Sequence, residues 1–265
     1  MPSTVLNSDY IRDLFSFRQA ESDEFFIEHP KTGLLMVLVP AGRFLTDTGG
    51  GEPIEVDLPA YYVGVHPVTN VQYARFVAET GNLRPDKSDA RNTPVWKNGT
   101  FPEEKADHPV VCVSWDDAAA YCRWAELRLP TELEWEKAAR GLDGRAYPWG
   151  DFWEPTRCRN DWNKGRETTA GVWRYAKGGA PFGGLHLSGN VWEWCADWYD
   201  DDAHARYREG DFAAPSCGSS RVLRGGSWFG ASPGIFSASC RHHRSSGKHE
   251  DICGFRCAGG IGAFT

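Results

Sequence analysis

Hydrophobic and polar positions along the 265-residue chain follow two periods, and the change from one to the other marks the elements. Leu34 to Val39 is a continuous apolar run ending at Pro40-Ala-Gly42, which predicts a buried strand and a turn. Ile54, Val56 and Leu58 alternate with polar residues and predict a half-buried strand; Tyr61 to Val65 predicts another. Three helix starts then carry the same chemistry. Thr69 with Gln72 and Thr131 with Glu134 place a hydroxyl and a returning amide or acid three residues apart, a pairing that satisfies the first free N–H groups of a helix. Ser114 with Asp117 is a shorter version. The helices predicted behind them run over 70–80, 116–125 and 132–140. Tyr73, Phe76 and Val77 share one face of the first, and Ala120, Tyr121 and Trp124 one face of the second.

Residues 1–31 are polar apart from one weakly amphipathic piece, Tyr10 to Phe17, and predict an N-terminal arm or capping segment. A single domain over 32–265 follows, with no internal repeat and no low-complexity linker. Gly, Pro or Trp interrupts almost every stretch from Gly141 to Leu187, so this part is expected to be loop held by aromatic anchors. Strands are expected at 191–194 and 222–223, with a closing strand over 254–258. The fold class is α+β, with few short elements and much irregular loop. Eleven of the twelve tryptophans lie between Trp115 and Trp228, which predicts a packed aromatic layer rather than an exposed run.

The strand-like segments Arg221-Val-Leu-Arg-Gly-Gly-Ser-Trp228 and Gly254-Phe-Arg-Cys257 bracket an insert, Phe229 to Cys253, of different character. It is rich in Ser and Gly, carries three of the eight histidines and has no regular period. A rigid frame around an irregular polar loop is how proteins present binding groups. The candidate ligand-binding residues are Trp228, Phe229, Gly230, Ser232, Ile235, Phe236, Ser237, Ser239, His242, His243, Ser245, Ser246, His249 and Asp251. The apolar ones supply anchors and the Ser and His residues adaptable contacts; Ile235 and Phe236 can equally pack inward. Cys240, His242, His243, His249 and Cys253 have zinc-type chemistry, but their spacing matches no standard finger. The acidic run Asp197, Asp200, Asp201 and Asp202 has the chemistry to bind a cation, but a solvated loop is the expected reading.

A net charge of −7 argues against a general nucleic-acid partner, because phosphate neutralisation needs clustered Lys and Arg. No apolar run reaches membrane-spanning length. Charges at Asp9, Arg12, Asp13, Arg18 and Glu21 do not form a secretory signal, so the chain is expected to be cytoplasmic at synthesis, with later display on a virion or cell surface left open. Eight cysteines without paired C-x-x-C spacing do not make a zinc ribbon. No Ser-His-Asp order, phosphate-binding glycine loop or paired acid/base carboxylates stand out.

Several stretches together resemble the formylglycine-generating enzyme (sulfatase-modifying factor) family, a variant of the C-type lectin fold. They include Tyr61-Tyr-Val-Gly64, Pro67-Val-Thr-Asn70, His108-Pro-Val110, Arg128-Leu-Pro-Thr-Glu132, Tyr147-Pro-Trp-Gly150, Leu187-Ser-Gly-Asn-Val-Trp-Glu-Trp194, Arg224-Gly-Gly-Ser-Trp228 and Gly254-Phe-Arg256. The family enzymes oxidise a peptide cysteine with two copper-binding cysteines. Counted from the shared Gly-Gly-Ser, the matching positions here are Gly230 and Ile235. The resemblance implies an adjacent pair at Cys122 and Cys257, and a single Cys240 whose partner position is Ala139. It also implies a calcium position at Gly189, Val191 and Glu193, although His186 stands where an Asn ligand is usual; the alternative for Glu193 is a buried, hydrogen-bonded carboxylate that ties the Trp-rich loops together. The frame also resembles the variable proteins of diversity-generating retroelements, whose insert between Gly-Gly-Ser-Trp and Gly-Phe-Arg is rewritten at adenines. Only Lys248 and Glu250 within Phe229 to Cys253 fall outside the residues that randomised AAC codons encode. Two functions follow. One is a non-catalytic protein that needs no cofactor and binds an unknown protein or surface ligand through a diversified insert. The other is a copper oxidase of peptide cysteine, or an inactive paralogue that binds a peptide.

Overall fold

The computed structural model describes residues 25–47, 52–82, 84–89 and 95–264. In chain order the strands are β1 (Phe26–Glu28), β2 (Leu35–Val39), β3 (Gly42–Thr46), β4 (Ile54–Leu58) and β5 (Tyr61–Gly64), then β6 (Trp192–Trp198), β7 (Arg221–Arg224), β8 (Arg241–Arg244), β9 (Cys253–Gly254) and β10 (Ala258–Gly260). The helices are α1 (Asn70–Thr80), α2 (Trp115–Trp124), α3 (Glu132–Arg140) and α4 (Ala203–Arg208). The expected amphipathic piece at Tyr10 to Phe17 lies outside the described residues.

The first sheet has the order β1-β2-β5-β10 and is antiparallel throughout. Val63 pairs with Val37 on one side and Ala258 on the other, so the first and last strands among the described residues share one sheet. The second sheet, β8-β7-β6-β9, carries the site; β6 and β9 are parallel and the other pairs antiparallel. β3 and β4 form a separate pair, with Phe44 opposite Val56. All three expected capping boxes are present, at Thr69, Ser114 and Thr131. Tyr73 and Phe76 of α1 pack on Tyr121 of α2, with ring centroids 5.8 and 5.5 Å apart, and Phe255 closes the cluster.

Four expectations are corrected. β1 lies inside the segment expected to be an arm, because Phe26 and Glu28 pair with Val37 and Leu35. Gly42, at φ +119°, leads out of the turn directly into β3, which the turn residues had hidden. β8 lies inside the insert expected to be irregular. Its sequence Arg-His-His-Arg has no apolar alternation because it is an edge strand, where charge blocks further pairing. Asp197 is not on a solvated loop: it is a buried residue of β6 that accepts the Glu132 N–H at 2.7 Å.

α3 is buried along its whole length although it carries Glu132, Glu134, Glu136, Lys137 and Arg140. Burying charge is costly unless each group is paired. Arg224 spans Glu132 (3.2 Å) and Glu136 (2.7 Å). It also donates to the carbonyls of Ala238 (2.6 Å) and Ser239 (3.1 Å). Lys137 donates to the carbonyls of Pro40 (2.8 Å) and Gly42 (2.7 Å). In a domain with so much loop, long cationic side chains supply the hydrogen-bond donors that loop carbonyls lack.

Candidate functional site

The site begins at the turn after β7. Gly225 and Gly226 have φ of +97° and +76°, and a Cβ would lie 2.9 Å from the Trp135 ring and 2.8 Å from the Phe236 ring. Only glycine fits between them. Trp228 is then tied twice: its N–H donates to the Asn190 carbonyl (2.9 Å), and its indole N–H donates to the Asp251 carbonyl (3.1 Å) near the far end of the insert. The chain leaves this anchor with Phe229 pointing out, 62% exposed.

Gly230 and Ile235 meet. A Cβ on Gly230 would run into the Ile235 side chain and come within 2.6 Å of the Phe236 ring, so hydrocarbon fills the space between the two positions. Phe236 is fully buried and stacks on Trp153 at 4.8 Å. Trp153 in turn meets Tyr147 (5.4 Å), Trp149 (5.9 Å) and Trp162 (5.7 Å). Phe152 and Trp162 are 84% and 52% exposed, and the Asp161 N–H donates to the Gly230 carbonyl (2.9 Å). The Lys164 ammonium sits 4.8 and 4.9 Å from the Trp228 and Phe229 rings and pairs with Asp161. The result is an aromatic platform built by residues 147–162 around the first half of the insert. Sequence reasoning missed Trp149, Phe152, Trp153 and Trp162 as surface-forming residues. The available signal was their density in a loop too rich in Gly and Pro to bury them all.

The candidate insert residues do not form one patch. Phe229, Ser232, Ile235, Ser237 and Ser239 lie with the platform; Ser237 donates to the Ala146 carbonyl (3.2 Å) and meets Ser239 (2.9 Å). His242 and His243 lie on β8, against Trp192 (5.0 Å) and Tyr199 (4.1 Å). Burial and the Arg244 charge push His242 down to about 4. Ser245 is exposed, whereas the Ser246 carbonyl accepts the N–H of Trp115 and His249 meets Asp117 (3.1 Å), at the start of α2. Trp228, Gly230, Phe236 and Asp251 are buried. They are corrected from contact residues to supports, since they lie beneath the surface.

Glu193 is fully buried and held by Arg256, Nε to Oε2 at 2.5 Å and Nη2 to Oε1 at 2.6 Å, with the Trp135 indole N–H on Oε2 at 2.7 Å. Arg256 also donates to the carbonyls of Gly64 and Leu185, both at 2.8 Å. The Gly189 carbonyl accepts the Val191 N–H, and His186 bonds the Val172 carbonyl (3.0 Å) and Asn190 (3.3 Å). A guanidinium already matches the one carboxylate, the Gly189 carbonyl accepts an N–H, and His186 is turned to other partners. These residues do not fit a calcium ion. No group of three or more His, Cys, Asp or Glu among the described residues is placed to hold a metal.

The Cys122 and Cys257 sulfurs lie 3.6 Å apart as buried thiols. Cys240 is half-buried and Cys253 buried, and burial pushes both thiols up. A protonated thiol is a poor metal ligand, and neither Gly230 nor Ile235 offers an atom to copper.

A loop-borne surface on a small, mixed α and β scaffold of C-type lectin type is what the strands and the insert define. Residues 23–261 match the sulfatase-modifying factor enzyme 1-like domain, and the chain belongs to that family. It is 34% identical over 290 residues to the formylglycine-generating enzyme of Streptomyces coelicolor, covering 86% of this chain and 90% of that protein. It is 33% identical over 280 residues to the inactive C-alpha-formylglycine-generating enzyme 2 of Mus musculus, covering 86% of each. Treponema denticola variable protein 1 superposes with a TM-score of 0.70 at 25% identity, over 88% of this chain and 98% of that one. No helix among the described residues is long and apolar enough to cross a membrane.

Proposed function

We propose that this chain is a binding protein whose ligand surface is the first half of the insert together with the aromatic platform beneath it, and that it performs no turnover. The observation that carries this reading is the hydrocarbon contact between Gly230, Ile235 and Phe236, at the positions where the family resemblance places two copper-binding sulfurs. Soft thiolates select Cu(I), and a glycine and an isoleucine provide none. Exposed Phe229, Trp162 and Phe152 give a partner large, rigid contacts of low entropic cost. The likeness to the Treponema denticola variable protein supports a diversified insert, and that to the inactive mouse paralogue supports the lack of turnover.

Two measurements test it. Purified protein loaded with Cu(I) is incubated in air with a Cys-x-Pro-x-Arg peptide and the peptide is weighed by mass spectrometry; the thiol is expected to survive, and aldehyde formation would end the reading. The coding sequence is expected to carry AAC-derived codons across the insert, with a near-copy beside a reverse transcriptase. A second reading, an oxidase working through Cys240 and Cys253, draws on the 34% identity to the Streptomyces coelicolor enzyme and stands if the peptide is converted.

A further inference from the structure

A separate cleft of about 310 Å³ opens between Glu104, Lys105 and His108 on one wall and Glu167, Thr169, Gly171, Arg174 and Tyr175 on the other, with Arg159 also lining it. That volume lies at the small end of ligand sites. Its lining carries three cations, Lys105, Arg159 and Arg174, against two carboxylates, Glu104 and Glu167, in a chain that is acidic as a whole. Arg159 is buried and donates to the carbonyls of Thr168 (2.8 Å), Asn163 (3.1 Å) and Lys164 (2.9 Å), and it has no carboxylate partner among the described residues. The carbonyls hold this cation in place, and the carboxylate that feels its charge is the exposed Glu167. Lys105 has a side chain only 17% exposed; its counter-ion, Glu167, reaches it at 2.5 Å while remaining 65% exposed. Arg174 is exposed at the rim with no side-chain partner among the described residues.

We propose that this cleft binds a small organic carboxylate, with Lys105 and Arg174 contacting the anion and Arg159 supplying buried positive charge. Glu167 selects the chemistry: a carboxylate already rests on Lys105, from a side chain mostly in water that an incoming ligand can replace. His108 agrees with this charge balance. Burial, and then the Lys105 charge, push it down to about 4, so it stays neutral and adds a hydrogen-bonding group rather than another cation. Its Nδ1 is engaged by Thr169 at 2.9 Å, which fixes the ring against the wall.

The test is calorimetric titration of the full chain with succinate and, separately, with an acetylated, amidated Glu-containing tripeptide, which distinguishes a free acid from a peptide side chain. Saturable binding of either is expected, abolished in Arg174→Met. In Glu167→Gln it should tighten about two- to fivefold, the worth of a largely exposed ion pair that no longer competes. Both substitutions are at exposed side chains and leave the fold intact, which circular dichroism checks. Absence of binding in Glu167→Gln, or affinity that neither substitution changes, overturns the proposal.

Discussion

The buried polar centre around Glu193 and the exposed start of the insert stand on either side of the Gly225-Gly226 turn, and opposite constraints built them. On the interior side Glu193, Arg256, Trp135, Arg224, Glu132 and Glu136 answer one another at 2.5 to 3.2 Å, so each residue depends on its neighbours. On the outer side Phe229, Ser232 and Pro233 are exposed. A change there costs the fold little, and a change inside costs it much. Under the proposed binding function this division would let one scaffold carry many surfaces, because the rigidity that presents the insert comes from residues beneath it.

Stripping one charge from the interior has the largest expected effect. Arg256→Met leaves the Glu193 carboxylate buried without its guanidinium and is expected to cost about 3–5 kcal/mol in denaturant unfolding. The double variant Arg256→Met with Glu193→Met removes both charges and should recover a large part of that loss. A single variant that unfolds within 1 kcal/mol of the parent would mean that the pair does not organise the centre.

Two phenylalanines of the same insert give the next contrast. Phe236→Ala empties a fully buried site between Trp153 and the Gly226 turn and is expected to cost about 3–5 kcal/mol. Phe229→Ala is expected to change stability by no more than about 0.5 kcal/mol while weakening capture of any partner selected on the parent. Equal thermal shifts for the two would erase the distinction between support and surface.

That pair also marks how far the sequence carries. Helix starts were readable at Thr69 and Thr131 because a capping box is satisfied within four residues, and α1 and α3 begin and end where the pattern placed them. The bracketing of the insert was equally local, since Gly225 and Gly226 need φ values that few other residues adopt. The fate of Phe236 was not local: the ring that stacks on it, Trp153, lies more than 80 positions upstream in a loop without periodicity. β8 escaped notice for a related reason, as its pairing with β7 is backbone chemistry that leaves Arg-His-His-Arg no side-chain signature. Glu193 could be recognised as important from its family motif, but its partner was decided by the fold, which delivers Arg256 from the far end of the chain.

Acid sharpens the contrast through histidine. His186 and His66, both beside Arg256 in the interior, are pushed down to about 3 and about 4, chiefly by burial. Both therefore stay neutral in the folded chain below the ordinary histidine value, while the unfolded chain takes up protons. Stability is expected to fall as pH drops from about 6.5 towards 4. His186→Asn should flatten that slope in denaturant titrations at stepped pH. An unchanged slope in this variant would place the acid sensitivity elsewhere.

The smallest effect expected is the response to calcium. A divalent ion seeking Glu193 meets a carboxylate whose charge Arg256 has already matched and whose oxygens accept three N–H donors. Binding would require breaking that pairing inside a region closed to water. An ion present at ten times its dissociation constant would add about 1.4 kcal/mol and raise the melting temperature by several degrees. Millimolar calcium and its removal by EDTA are instead expected to move the melting temperature by less than about 1 °C. A calcium-dependent rise of several degrees would require the Glu193–Arg256 pair to open, and would transfer the organisation of this loop layer from guanidinium to metal.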